Sequence, residues 1–170
     1  MTQQEYHEGV PSTAAVFGHP LHPMIVPFPI AFLVGALLTD LAFWRLGDPF
    51  WAQASIWLIA AGVVSGALAA VFGLTDFLTI RRARAHLAGW VHFLGNLTAV
   101  VISLINWIMR IGHAPAAVVP VGLVLSLVVT LVLLVTGWMG GELAYRYKVG
   151  VLGDGRTEDA RVVNQTGHTA

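Results

Sequence analysis

The chain of 170 residues has no cysteine. That excludes disulfides, thiolate metal sites and an iron–sulfur cluster held by this chain alone. Charge is equally scarce, since only 11% of residues are Asp, Glu, Lys or Arg, and the formal balance is zero. A neutral chain gives no electrostatic case for binding nucleic acid. Too few charged residues remain to cover a soluble globule when 56% of the chain is hydrophobic and mean hydropathy is +0.75. The N-terminal segment also lacks a basic region followed by a short apolar run and a small-residue cleavage site. It carries Glu5 and Glu8 instead, and does not read as a signal peptide.

Long apolar runs are what the sequence does have. A hydrocarbon core of about 30 Å takes about 20 residues of helix. Four stretches meet that length, at about 24–44, 52–72, 87–109 and 116–139. Arg45-Leu-Gly-Asp-Pro49, Arg81-Arg-Ala-Arg84 and Arg110-Ile-Gly-His-Ala-Pro115 separate them. Short loops between antiparallel spans predict an all-α, up-and-down, integral membrane four-helix bundle. The division is a polar N-terminal tail over 1–16, the membrane domain over 17–152 and a disordered C-terminal tail over 153–170. No repeat stands out at a fixed period.

Four spans put both termini on one side, with the loop between spans two and three. This tail side carries Arg81, Arg82, Arg84, Arg146 and Lys148 near the membrane, against Arg45 and Arg110 opposite. The positive-inside rule then predicts that the tail side, with both termini, faces the cytoplasm. Trp44, Trp51, Trp57, Trp90, Trp107 and Trp138 fall near predicted helix ends, as interfacial anchors do.

Polar groups collect on the tail side. His19 and His22 lie in the segment Gly-His-Pro-Leu-His-Pro-Met at 18–24, before span one. Asp76 ends span two, His86 and His92 open span three, and Glu142 ends span four. A residue before proline avoids the α conformation, so His19 and His22 are both expected to be extended. Gly89, His92 and Asn96 share one face of span three. Asp40, Asp48 and His113, on the opposite side, read as ordinary loop and interface residues.

Several blocks carry a resemblance. Residues 18–38, with Gly-Leu-Thr-Asp-Phe at 73–77, Gly-Trp-Val-His-Phe-Leu-Gly-Asn at 89–96 and the run from Gly137 to Val151, resemble the bacterial membrane family named domain of unknown function 2231. The resemblance covers about 17–152 and implies a four-helix membrane domain. Its matching positions are His19, His22, Asp76, His92, Asn96, Gly140, Gly141, Glu142 and Arg146. It also implies a redox setting, because related domains are sometimes fused to Rieske iron–sulfur modules. The chain departs from the family pattern at Pro27 and Tyr147, where many members have histidine.

Three readings follow. In the first, haem b serves electron transfer: His92 and either His22 or His19 are axial ligands, Gly89 and the span-two glycines leave clearance, Asn96 orients His92, and Arg146 pairs with a propionate. In the second, His19, His22, Asp76, His92 and Glu142 hold zinc or iron through nitrogen and oxygen. In the third, the chain is a structural or accessory subunit and the polar groups lock helix ends. Candidate partners are the lipid bilayer, a redox protein of Rieske type and further copies of this chain.

Overall fold

A computed structural model describes residues 9–151. The expected disordered tail, 153–170, lies outside them. Residues 9–20 run along the tail side and include a two-stranded ribbon, β1 (Ala15–Val16) and β2 (His19–Pro20). Then come α1 (Leu21–Ile25), α2 (Pro27–Leu46), α3 (Pro49–Thr79), α4 (Arg81–Ala85), α5 (Leu87–Arg110) and α6 (Leu123–Gly141). A kinked turn, Val118–Gly122, leads into α6, with Val119 extended at φ −116°. One wide turn, Glu142–Arg146, follows it.

Four segments are long and apolar enough to cross a membrane: Leu21–Leu46, Pro49–Thr79, Leu87–Arg110 and Val118–Arg146. Their outward faces carry Leu38, Val64, Leu68, Leu97, Val101 and Leu134, all exposed. In water that surface would be costly; against lipid it is the favourable arrangement. The second segment outruns its predicted end at Phe72, because no proline intervenes before Ile80, whose backbone is extended.

The first reversal follows its sequence closely. Gly47 ends α2 in the left-handed conformation at φ +70°, and its N–H closes on the Phe43 carbonyl at 2.8 Å. Asp48 then caps α3 by accepting from the Phe50 N–H at 2.9 Å, and Pro49 takes the first helical position.

Helix α2 packs on α3, α3 on α5, α5 on α6, and α6 back on α2. The pairs α2/α5 and α3/α6 therefore oppose each other across the two diagonals. This ring relates the hairpin α2–α3 to the hairpin α5–α6, and the polar residues repeat with it. Eighteen residues separate His22 from Asp40, and eighteen separate His92 from Arg110. Ser55 and Ser126 flank the Asp40–Arg110 pair from α3 and α6. The two rings lean on Ala69/Gly73 of α3 and Thr136/Gly140 of α6 respectively. The two hairpins thus correspond at these few polar and small positions, which is why the sequence displays no repeat at a fixed period.

Candidate functional site

His22 and His92 come together at the tail-side end of the bundle, with ring centroids 6.0 Å apart and planes at 83°. His19 lies in the extended β2, as its proline context predicts, whereas His22 is helical within α1. The difference has a physical reason. Pro23 falls in the first turn, where a missing N–H breaks no helical bond, and the His22 ring is anchored elsewhere.

The anchoring is the same for both rings. Nδ1 of His22 lies 2.8 Å from the Ala69 carbonyl, and Nδ1 of His92 lies 2.8 Å from the Thr136 carbonyl. A carbonyl only accepts, so each ring donates from Nδ1 and keeps its lone pair on Nε2. Four residues after each carbonyl comes a glycine. A Cβ at Gly73 would stand 2.7 Å from His22 Nδ1, and one at Gly140 would stand 2.9 Å from His92 Cε1. Each helix thus supplies a carbonyl to hold an imidazole and a bare backbone to seat it. No hydrogen bond to either Nε2 occurs among the described residues.

The other predicted members are engaged elsewhere. Asp76 receives Ser12 Oγ at 2.6 Å, Thr13 N at 2.8 Å, Thr13 Oγ1 at 2.9 Å and Ala14 N at 2.9 Å. One carboxylate thereby ties residues 12–14 across the end of α3. Asp76→Ala strands four donors and should free this segment at a cost on the order of 2 kcal/mol. Hydrogen exchange should rise over residues 10–16 while helix content stays unchanged.

Glu142 pairs with Arg146 on its own turn at 3.3 Å, and that arginine is exposed. His19 is exposed and bonds the Phe17 carbonyl at 3.0 Å. His86 stacks on Tyr147, centroids 3.7 Å apart. Among the described residues, no three His, Asp or Glu side chains lie close enough to hold a metal. The set His19, His22, Asp76, His92 and Glu142 is therefore not assembled; only His22 and His92 meet.

Asn96 does not hold the His92 ring. Its amide donates to the His92 backbone carbonyl at 2.7 Å and accepts from Thr136 Oγ1 at 3.2 Å. It thereby steadies the α6 segment whose carbonyl holds the ring. The glycines expected to leave clearance for a macrocycle are filled as well. A Cβ at Gly89 would collide with the Ala83 carbonyl, one at Gly62 would stand 2.6 Å from Leu33, and one at Gly66 would stand 3.2 Å from Val100. The space beside these three glycines is taken by the chain's own atoms.

A second polar centre lies at the opposite end, around Asp40, which by sequence reads as an ordinary interface residue. Asp40 and Arg110 are fully buried and paired in both arms: NH1 to Oδ1 at 2.6 Å and NH2 to Oδ2 at 2.8 Å. Ser55 donates to Asp40 at 2.5 Å and Ser126 at 2.7 Å, while Arg110 Nε donates to Asn106 at 2.9 Å. The Asn106 amide reaches Ser126 and the Gly122 carbonyl. The guanidinium and the carboxylate have several partners each. This closed network is a lock between diagonal helices rather than a ligand site. The signal for it was an acid and a base inside apolar runs, each eighteen residues beyond a histidine.

Comparison with known proteins gives one family. The profile described as predicted membrane protein, DUF2231, matches residues 18–153. No curated protein and no solved structure matches.

Proposed function

The chain belongs to this DUF2231 family of predicted membrane proteins, and from that premise we propose that its bundle presents His22 and His92 as a two-imidazole ligand pair for one metal centre in electron transfer. The matched anchoring of the two rings carries this reading. A histidine that donates Nδ1–H to a carbonyl has its tautomer and orientation fixed with Nε2 open, which is the usual support behind a metal-bound imidazole. The separation also suits a shared atom. With metal–nitrogen bonds of about 2.0 Å, two imidazoles on one metal put their centroids roughly 5–6.5 Å apart, and here they are 6.0 Å apart.

Of the two centres expected, the filled glycine positions favour a bare ion, iron for electron transfer or zinc without it, over haem b. Remaining coordination would come from water or a partner protein, since the carboxylates are tied up elsewhere. The charge asymmetry supports a cytoplasmic tail side in the inner membrane. With Arg110 neutralised by Asp40, Arg45 alone remains opposite Arg81, Arg82, Arg84, Arg146 and Lys148. The structural reading keeps one specific observation in its favour: Asp76, Asp40 and Arg110 all tie separate segments together.

The test is elemental analysis and an optical spectrum of the purified protein, air-oxidised and then dithionite-reduced, from cells supplied with haem, iron and zinc. Near-stoichiometric metal that falls at least fivefold in both His22→Ala and His92→Ala is expected. A Soret band lost in the same variants would restore haem b. A colourless, metal-free and folded protein would leave the structural module standing.

A further inference from the structure

We propose that the tail-side end of α5 and α6 is a binding site for an anionic phospholipid. The headgroup rests on cations gathered around Tyr147, and an acyl chain lies in the groove between the two helices. The site does not depend on His22 and His92 holding a metal.

Among the described residues, the two ends of the bundle differ in charge. Arg45 and Arg110 are matched by Asp40 and Asp48 at one end. At the tail side Arg81, Arg82, Arg84, Arg146 and Lys148 meet only Asp76 and Glu142, and Asp76 is occupied by residues 12–14. Orientation in the membrane needs only that such cations be present in a loop. Here they are fixed in place. Ala83 is buried beside Phe77 and Ile80, which leaves Arg81 and Arg84 exposed on α4.

The segment after α6 is drawn to the same place from 65 residues away in the chain. Arg82 donates to the Tyr147 carbonyl at 3.4 Å, the Tyr147 ring stacks on His86, and the Arg146 guanidinium lies over that ring, 6.0 Å from its centroid. Val149 packs against the cluster that holds Ala83. Like charges held together repel, and an anion between them relieves the repulsion. Clusters of about four to eight Lys or Arg beside a membrane span are the usual sites for acidic headgroups. Leu87 and Tyr145 are exposed next to the cations, as side chains at a lipid boundary are.

The groove is the independent observation. Val91 and Gly95 of α5, with Leu131, Val132, Val135 and Thr136 of α6, line a cleft of about 280 Å³. Leu131 and Val135 are exposed, so the cleft opens on the lipid face. The Thr136 hydroxyl is turned to Asn96 and the Leu133 carbonyl, and its methyl group meets Gly95. The lining therefore suits hydrocarbon. Val91 lies four residues into α5, and Thr136 six before Glu142, which sets the cleft about 6–9 Å below the cations at 1.5 Å per residue. A headgroup layer is roughly 5–8 Å deep, the difference between a bilayer of about 40–45 Å and its core of about 30 Å, halved. One lipid thus meets both features. An acidic protein would meet the cations and leave the cleft unfilled.

The experiment is titration of the full chain in mild detergent with dioleoyl phosphatidylglycerol or dioleoyl phosphatidylcholine, read by native mass spectrometry. Phosphatidylglycerol should bind at least fivefold more tightly, about the effect of one charge at a membrane surface. Arg81→Gln, Arg84→Gln and Arg146→Gln together should reduce that preference below twofold, whereas Arg45→Gln at the opposite end should leave it intact. Glu142→Gln removes the acid paired with Arg146 and should tighten phosphatidylglycerol at least twofold, which keeps the test decisive if the triple variant does not fold. Val135→Phe fills the cleft and should weaken phosphatidylglycerol at least threefold. Size exclusion and circular dichroism establish folding. Equal affinity for the two lipids would overturn the proposal, as would a preference that survives in the folded triple variant or binding indifferent to Val135→Phe. Displacement of the lipid by an equal concentration of glycerol phosphate or of oligoglutamate would also overturn it, in favour of a free phosphate or an acidic protein.

Discussion

Asp40→Ala and Arg110→Ala should each lower the stability of the bundle by about 3–5 kcal/mol, because each leaves the other charge buried and unpaired. In a detergent thermal melt that corresponds to a fall of roughly 10 °C in Tm for a chain of this size. Side-chain exposure at both positions is zero, so water cannot take over as the missing partner. The loss also spreads. Removing Asp40 takes an acceptor from Ser55, Ser126 and two arms of Arg110 at once.

The double exchange Asp40→Arg with Arg110→Asp separates a lock from an incidental pair. Ser55 and Ser126 each bond both Asp40 and Arg110, so both hydroxyls can serve the exchanged charges. The exchange should therefore recover more than half of the loss. It should not recover all of it. Asn106, which accepts from Arg110 Nε, has Ala36 as its counterpart on α2, and an arginine at 40 would lack that bond. An exchange as damaging as either single variant would show that the two hydroxyls do not serve both charges alike. Replacing both by Leu and Met removes the charges together and should be far milder than either single change.

This network also measures how far the sequence could be read. Four spans were legible because length and hydropathy alone specify them. The first reversal was legible because Gly47, Asp48 and Pro49 each have a backbone reason to be there. The meeting of Asp40 with Arg110 was not, because a charge close to a helix end reads equally well as a snorkelling interfacial residue. The partners of His22 and His92 were hidden for a different reason. Ala69 and Thr136 act through their carbonyls, and every residue has one. Glycines showed that something approaches closely without showing what: Gly89 meets backbone, Gly62 a leucine, Gly73 and Gly140 the imidazoles. Gathering His and carboxylate residues on one surface pointed to the end of the bundle where His22 and His92 meet. It overcounted the cluster, because Asp76 and Glu142 are satisfied by their own neighbours.

Gly89→Ala should be the most damaging of the single-methyl changes, at about 3 kcal/mol or somewhat more. The added Cβ would fall well inside contact distance of the Ala83 carbonyl oxygen and close to its carbon. Those are backbone atoms, so no side-chain rotation relieves the overlap. Helix α4 would have to lift from α5. Ala83 is buried beside Phe77 and Ile80, with Phe93 packed against them, and Phe77 stacks on Phe93 at 4.6 Å. Lifting α4 therefore also loosens the end of α3 and breaks the bond from Trp90 Nε1 to the Arg84 carbonyl at 3.1 Å. Trypsin should then cut at Arg81, Arg82 or Arg84 well below the unfolding temperature, while the wild type resists. Gly137→Ala is the matched control. A Cβ there meets nothing within 4 Å, and alanine in a helix interior is better than glycine by roughly 0.5–1 kcal/mol. The same chemical change should thus lower Tm at 89 and raise it slightly at 137. Equal effects at the two positions would show that the contact between α4 and α5 is not what Gly89 is for.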